Sequence, residues 1–158
     1  MRRPSLIDLP LPPELPPGLT LRPYRSGDDV SLARLLGRAF GDEIWTVDHV
    51  HTALIDASDV EQTYVIAKAL AIIATASARL LPEKFPGSGY LHWVASDPDY
   101  RRMHLGKIVV LAVLSEFARQ GHGDCVLETE TFRIPAIKLY KSLGFEIDEP
   151  ALIDHVQT

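Results

Sequence analysis

Apolar residues recur at helical spacing in several segments of the chain. In residues 29–40 they fall on one face, which predicts an amphipathic helix packed on a sheet, with Asp28 as its N-cap. A second, shorter helix is expected after Thr46, a typical N-cap residue. Residues 105–119 are apolar almost all round and predict a buried helix, and residues 135–143 predict a further helix.

Other stretches have the composition and alternation of strands. Residues 90–96 are the clearest strand, whereas residues 63–79 are rich in alanine and fit a helix as well as a hairpin. Alternation within the clearest strand predicts two faces, with Tyr90, His92 and Val94 on one and Leu91, Trp93 and Ala95 on the other. The remaining predicted strands are residues 19–25, 124–129 and 145–147.

The first part of the chain differs from the rest in composition. Six of the 12 prolines fall within residues 1–17, where they remove backbone donors and favour extended geometry. We therefore predict an N-terminal arm over residues 1–18 and one domain over residues 19–158. The arm is expected either to pack on the body or on a neighbouring subunit, or to be disordered.

Composition restricts the compartment and the class of partner. The chain has 158 residues, 46% of them hydrophobic, and a net charge of -5, which argues against broad binding to nucleic acid. Its one cysteine, Cys125, lies in an apolar run and is expected to be a buried thiol. No secretion signal or membrane span is evident, so the predicted location is cytoplasmic, with no membrane partner.

Two segments in the second half of the chain point to chemistry. A strand at Tyr90 runs into a basic loop and the start of a helix, and unpaired N–H groups at such a junction bind a pyrophosphate. About 30 residues later, Arg133-Ile-Pro-Ala-Ile-Lys-Leu-Tyr-Lys-Ser-Leu-Gly-Phe145 reads as a short helix that ends at Gly144.

Together the two segments resemble the GNAT superfamily of coenzyme A-dependent N-acyltransferases. That signature is Arg/Gln-x-x-Gly-x-Gly/Ala followed by Asn-x-x-Ala-x-x-Leu-Tyr-x-x-Leu-Gly-Phe, and its order and spacing match Arg101–Gly106 and Arg133–Phe145. The resemblance covers residues 19–148 and is firm from Tyr90 onward. It implies an α+β fold in which about four helices flank a mostly antiparallel sheet of about six to seven strands, splayed at its centre. It also assigns residues 63–79 to a hairpin.

The resemblance implies that acetyl-CoA is the cosubstrate and that no metal is required. The backbone of Val94, Ala95 and Ser96 is expected to bind the pantetheine arm and to place one N–H against the thioester oxygen. The helix start and nearby cations are expected to bind the pyrophosphate. The other predicted cofactor-binding residues are Arg101, Arg102, Met103, His104, Leu105, Gly106, Lys107, Arg133, Ala136 and Tyr140.

The same resemblance implies catalytic roles. Tyr140 matches the tyrosine whose hydroxyl meets the departing thiolate and is expected to protonate it as a general acid, and the alternative is a core aromatic residue. His92 stands where arylalkylamine-type members place a histidine that helps to remove the amine proton, and the alternative is a structural histidine. Glu128, Glu130 and Tyr90 are competing candidates for the base.

Two positions depart from the family pattern. His104 replaces the first loop glycine, so its ring must turn outward or lie across a phosphate. Arg133 replaces the usual asparagine, and a charge contact with the cofactor is one possible substitute for the lost hydrogen bond.

The predicted activity is direct transfer of the acetyl group of acetyl-CoA to a primary amine of a small molecule, peptide or protein. Alternatives are an acyltransferase that uses another acyl-CoA and a non-catalytic module that senses CoA. The acidic region that includes Asp42, Glu43, Asp48 and Asp56 suggests a cationic acceptor, unless it is only a solvated face. A homodimer is possible, since dimers are frequent in this superfamily.

Overall fold

A computed structural model describes residues 1–41 and 43–148. Asp42 and residues 149–158 of the predicted domain lie outside the described residues. One sheet has the strand order β1-β6-β5-β4-β3-β2. The strands are β1 (Arg2–Arg3), β2 (Leu19–Pro23), β3 (Val60–Lys68), β4 (Ala71–Arg79), β5 (Gly89–Ser96) and β6 (Cys125–Val126). The helices are α1 (Asp29–Phe40), α2 (Val47–Val50), α3 (Leu105–Arg119) and α4 (Ile134–Ser142), and a π-helical turn, His51–Ile55, extends α2.

All neighbouring strands are antiparallel except β5 and β6, which are parallel. This sheet and its flanking helices confirm the predicted α+β fold. Residues 63–79 form the hairpin β3–β4 with Ala69 in a left-handed conformation, φ 52°. Alanine-rich sequence forms strands here because both faces of the hairpin are covered by helices.

The sheet separates two hydrophobic clusters. Alternate residues of β3 illustrate the division, since Ile66 packs with α3 whereas Val65 packs with α1 and α2. Helix α3 is buried along most of its length, as its apolar sequence predicts, and its Phe117 is fully buried. The functional strand β5 lies between these clusters and has helices on both faces.

Strand β5 contains a β-bulge that corrects the predicted assignment of its faces. Three residues of β4, from Thr75 to Ser77, oppose four residues of β5, from Ala95 to His92, and Trp93 has φ 52°. Because one residue is extra, the alternation reverses within the strand. Val94 packs with Leu91 in the α3 cluster, whereas Trp93 and Ala95 join the α1 cluster, and the Trp93 ring lies 4.0 Å from the His92 ring.

The parallel strands β5 and β6 separate soon after they meet. Their pairing comprises Gly89 with Cys125 and Tyr90 with Val126. Beyond Tyr90 the strands diverge, so the β6-facing backbone edge of residues 91–96 has no strand neighbour within residues 1–41 and 43–148. The divergence confirms the predicted central splay.

Several local predictions differ from the structure. Strand β6 is shorter than the predicted 124–129, because residues after Val126 turn away from β5. In the described part of the predicted last strand, only Glu146 pairs, and its partner is Arg2. Asp28 is the N-cap of α1, but its carboxylate binds Arg22 and the Arg25 N–H rather than the helix. The Thr46 cap is confirmed, since its hydroxyl accepts from the His49 N–H.

The N-terminal segment contributes to the sheet. Arg2 exchanges two backbone hydrogen bonds with Glu146, and the carbonyl of Met1 accepts from the Leu127 N–H. Leu6 is buried in the α3 cluster. The boundary drawn at residue 18 stays a prediction, although these contacts attach the start of the arm to the body.

Among the helices of residues 1–41 and 43–148, none combines the length and the apolar character that crossing a membrane requires.

Candidate active site

The divergence of β5 and β6 opens a cleft of about 360 Å³. Residues Tyr90 to Val94 of β5 form its floor. The segment after β6, residues 127–130, forms one wall, and α4 with the end of α1 forms the other. The side chains or backbone of Phe40, Tyr90, Leu91, His92, Trp93, Val94, Leu127, Glu128, Thr129, Glu130, Arg133, Ala136 and Tyr140 line it. All three predicted catalytic residues, His92, Glu128 and Tyr140, therefore meet in one place.

His92 is largely buried and bound to a cation. Arg79 Nη1 lies 3.0 Å from His92 Nδ1, and Asp59 binds the same guanidinium at 2.7 Å. Burial, reinforced by the charge of Arg79, lowers the pKa of His92 to about 4. Because a guanidinium is always a donor, Nδ1 is the acceptor and a neutral His92 carries its proton on Nε2.

Glu128 lies at the start of the loop that follows β6. Its Oε1 accepts a 2.9 Å hydrogen bond from the Tyr90 hydroxyl, and its Oε2 lies 2.9 Å from Lys84 Nζ. Burial raises the pKa of Glu128, but the bonds from Lys84 and Tyr90 outweigh it, so the net shift is downward. The carboxylate is therefore ionised at neutral pH. The pKa of Tyr90 is raised by burial and by Glu128, so Tyr90 stays a neutral donor.

Tyr140 projects from α4 and is only 7% exposed. Its ring packs edge-on against Phe145, at 5.8 Å between centroids. Burial raises the pKa of Tyr140 to about 12, opposed by the charge of Arg133. The phenol is thus protonated at neutral pH and is available as a hydrogen-bond donor.

A second cavity, of about 490 Å³, lies at the N-terminus of α3. The first N–H groups of a helix have no intrahelical acceptor, so the N–H groups of Leu105, Gly106 and Lys107 are free to bind an anion. Cationic side chains surround them. The lining residues are Ser96, Tyr100, Arg101, Arg102, His104, Leu105, Gly106, Lys107, Leu139 and Ser142.

The loop before α3 has an unusual backbone. His104, the N-cap of α3, has φ 58° and ψ 28°, and Arg102 has φ 70°. Glycine adopts this left-handed conformation without steric cost, whereas a residue with a Cβ does not. The family glycine that His104 replaces therefore corresponds to a position where the backbone is left-handed. The His104 side chain is exposed, as the outward alternative requires.

Arg133 lies in the β5–β6 cleft rather than in the cavity at α3. Its guanidinium stands over the Phe40 ring at 5.1 Å and the Phe132 ring at 5.4 Å, and its Nε is 3.8 Å from Glu130. These contacts join the start of α4 to the end of α1 across the cleft. Sequence reasoning considered Arg133 only as a cofactor contact.

The two cavities together include most of the predicted cofactor residues. Val94, Arg133, Ala136 and Tyr140 line the first, and Ser96, Arg101, Arg102, His104, Leu105, Gly106 and Lys107 line the second. Met103 and Ala95 belong to neither lining. Ala95 was predicted to bind the pantetheine arm through its backbone alone, and its side chain is buried on the α1 side of the sheet.

Several residues of the cleft escaped sequence reasoning. Arg79 and Lys84 contact the site from β4 and from the loop before β5. Arg79 lies opposite Tyr90 in the hairpin register, diagonal to His92, so the register would have identified it. Phe40 fits the apolar stripe of α1, and only the tertiary fold shows that it borders a cleft.

The acidic region before and within α2 does not line the cleft. Glu43, Asp48 and Asp56 are exposed, and Asp56 lies 3.3 Å from His51. The described part of this region is thus a solvated face and gives no support for a cationic acceptor.

Comparisons with known proteins agree with this geometry. A model of the acetyltransferase (GNAT) family matches residues 30–145. Mycothiol acetyltransferases from Thermomonospora curvata and Actinosynnema mirum are 29% and 31% identical to this chain, over 92% of it and 50% of each relative. The chain thus spans about half the length of these curated relatives.

Solved structures share the fold. The ribosomal-protein-S18-alanine N-acetyltransferase from Escherichia coli superimposes with a TM-score of 0.68 at 22% identity, over 82% of this chain and 79% of that one. The family match covers both signature segments and confirms the resemblance seen in the sequence. This chain belongs to the GNAT family of acetyltransferases.

Proposed function

We propose that this chain transfers the acetyl group of acetyl-CoA to a primary amine. The family uses acetyl-CoA, and the observation that best supports transfer here is that the two cavities lie along the same two elements. Strand β5 supplies Val94 to one and Ser96 to the other, and α4 supplies Tyr140 to one and Leu139 to the other. An extended carrier with a phosphate end and a thioester end fits such a path.

The donor binds with its pyrophosphate at α3. The free N–H groups of Leu105, Gly106 and Lys107 and the charges of Arg101 and Arg102 meet the diphosphate. The pantetheine arm then lies along the unpaired edge of β5, where Val94 to Ser96 supply backbone hydrogen bonds in place of the missing strand. The bulge at Trp93 immediately precedes this segment, and a bulge bends the strand that carries it.

The reaction proceeds by attack of a neutral amine nitrogen on the thioester carbon. The thioester oxygen becomes an oxyanion that a backbone N–H of residues 94–96 stabilises, an effect worth a few kcal/mol. The nitrogen of the tetrahedral intermediate loses its proton, the C–S bond breaks, and the sulfur leaves as a thiolate. The products are the N-acetyl amine and CoA.

The base assignment depends on the environments of His92 and Glu128. Neutral His92 has its Nδ1 lone pair engaged by Arg79 and its proton on Nε2, so it has no free lone pair to accept a proton. Glu128 is ionised and lines the cleft. We therefore propose that Glu128, directly or through water, receives the nitrogen proton, and that His92 donates from Nε2 to orient the reactants.

Tyr140 acts on the leaving group. Its pKa of about 12 lies well above that of an ordinary thiol, about 8.5, so complete proton transfer to the thiolate is uphill. A hydrogen bond from the neutral phenol to the developing thiolate avoids this cost and stabilises the transition state. The thiolate then takes its proton from solvent.

The test is thiol release from acetyl-CoA with a panel of amines, together with isothermal titration of CoA. We expect binding that depends on Arg101 and turnover on at least one amine. Tight CoA binding without turnover on any amine would support the non-catalytic sensor instead, and a faster rate with another acyl-CoA would reassign the donor. The cytoplasmic location, the possible homodimer and the lack of nucleic-acid or membrane partners stay predictions.

A further inference from the structure

The acceptor side of the cleft is a continuous wall of aromatic rings. Phe40 and Trp93 meet edge to face at 6.2 Å, and His92 lies 4.0 Å from Trp93 and 5.4 Å from Tyr90. All four line the cleft. Behind them, buried Trp45 contacts both Phe40 and Trp93, at 6.2 and 4.8 Å, so the wall has little freedom to move.

Two features of Trp93, in this wall, lower the stability of the fold. Trp93 has a left-handed backbone, which a bulky residue adopts only at a cost. Its indole N–H is buried without a hydrogen-bond partner in the described part of the chain. Such local costs are concentrated at functional sites, and here they accompany an indole that borders the cleft.

The charged groups of the cleft leave little surplus charge for a polycation. Glu128 is already paired with Lys84 at 2.9 Å, and Glu130 lies 3.8 Å from Arg133. Neutral His92 adds no charge at pH 7. Among the described residues that line the cleft, both carboxylates are therefore paired, so recognition of several ammonium groups has no free carboxylate there, whereas the rings offer an apolar surface.

We propose that the acceptor is a primary amine joined by a short aliphatic link to an aromatic ring, and that this ring binds against Trp93 and the cleft-lining part of Phe40, beside the Arg133 guanidinium that stands over Phe40. The inference rests on the proposed acetyl transfer for its kinetic consequences. Aromatic pairs that meet edge to face gain attraction beyond burial, because the positive edge of one ring meets the negative face of the other. The amine end then lies toward Glu128, in the segment that follows β6.

The rings also provide a readout that does not need turnover. The chain contains two tryptophans: Trp93 lines the cleft, and Trp45 packs directly behind it. Intrinsic fluorescence of the CoA-bound protein, titrated with 2-phenylethylamine and with 2-cyclohexylethylamine, compares a ring that is aromatic with one of similar size that is not. We expect the aromatic amine to saturate the signal at a roughly three- to tenfold lower concentration and to show a similar advantage in kcat/KM.

Two variants locate the effect. Phe40→Leu removes the ring from the cleft, and the ratio of kcat/KM between the two amines should fall toward one. Phe132→Leu is the matched control, because Phe132 also faces Arg133 but is 70% exposed and does not line the cleft. It should leave the ratio unchanged.

The outcomes separate this inference from the proposed function. Acetylation of both amines with equal kcat/KM, or a preference for spermidine or a lysine peptide, would overturn the aromatic acceptor and leave acetyl transfer standing. Selective fluorescence binding of the aromatic amine would support the site even if that amine is not acetylated, and the transfer would be overturned only by absence of turnover across the whole amine panel. Fluorescence that responds to neither amine, or equally to both, would overturn the aromatic acceptor.

Discussion

Arg79 donates to His92 from the neighbouring strand, with Nη1 3.0 Å from Nδ1, and Asp59 holds the same guanidinium at 2.7 Å. Asp59 thus holds the Arg79 guanidinium in place, and the guanidinium in turn fixes the orientation of the His92 ring. Burial, together with the charge of Arg79, lowers the pKa of His92 so that it is neutral at pH 7, and the contact with Arg79 defines its tautomer. In this environment His92 is a donor rather than a base.

Replacing the guanidinium tests that role. Arg79→Met keeps the apolar stem but removes the donor and the charge, so the pKa of His92 should rise from about 4 toward its usual value. Imidazole NMR shifts recorded across pH report both the pKa and the tautomer. The double variant Arg79→Met/Asp59→Asn is the control for the carboxylate that the single change leaves unpaired. An unchanged titration and tautomer would contradict the proposed tautomer control.

The same shift makes stability depend on pH. The folded-state pKa of His92 is depressed below the unfolded value of about 6.5, so the folded protein binds fewer protons between the two values. The contribution of neutral His92 to the free energy of unfolding is fully present above pH 6.5 and is lost as pH falls toward 4. Between pH 7 and 5 we expect a loss of about 2 kcal/mol from this group.

Urea unfolding of the wild type and of His92→Gln at pH 7, 6 and 5 measures this loss. The variant has no group that titrates at this position, so its stability should fall less over the same interval. Parallel pH dependences for the two proteins would show that His92 does not control acid stability.

Sequence alone identified the fold where motifs and periodicity agree. Helix α3 has the predicted bounds, 105–119, because its apolar pattern is unbroken and its ends are well marked. The faces of β5 were assigned wrongly because the alternation assumes a regular strand. The extra residue at Trp93 depends on how β4 and β5 pair, and no local pattern records it.

Other parts of the site also depend on tertiary structure. Tyr140 and the α3 loop were predicted from residues that match a motif, whereas Arg79 and Phe40 enter the site through packing between distant segments. The pairing of Arg2 with Glu146 joins residues 144 positions apart and involves few residues, so it leaves no periodic signal.

His104 offers a test of backbone strain at the predicted phosphate site. His104→Gly removes the Cβ from a left-handed residue, whereas His104→Ala removes the ring and keeps the Cβ. We expect the glycine variant to be more stable than the alanine variant by about 1 kcal/mol in urea unfolding. Equal stabilities would show that the left-handed backbone at this position carries no measurable strain.

Gly89 marks the point where β5 and β6 meet before they diverge. A Cβ at this position would overlap the ring of Phe117, which is fully buried. Gly89→Ala should therefore lower stability by about 1–3 kcal/mol, since the ring has no space to move into. Gly123→Ala is the control, because a Cβ there meets no atom within 4 Å. Similar melting temperatures for the two variants would contradict the predicted overlap.

Tyr140→Phe isolates the hydroxyl at the leaving sulfur. The phenylalanine ring keeps the contact with Phe145, so the fold and the affinity for acetyl-CoA should change little. Turnover should fall roughly ten- to a thousandfold, the range expected for loss of one donor to a developing charge. Because burial raises the pKa of this phenol, activity of the wild type should show no loss from its ionisation at about pH 10, where an ordinary tyrosine titrates. The measurements are steady-state thiol release at saturating amine and calorimetric titration of CoA. Full activity of the variant would refute the role of Tyr140, whereas an equal loss of CoA affinity would assign the residue to cofactor binding rather than to catalysis.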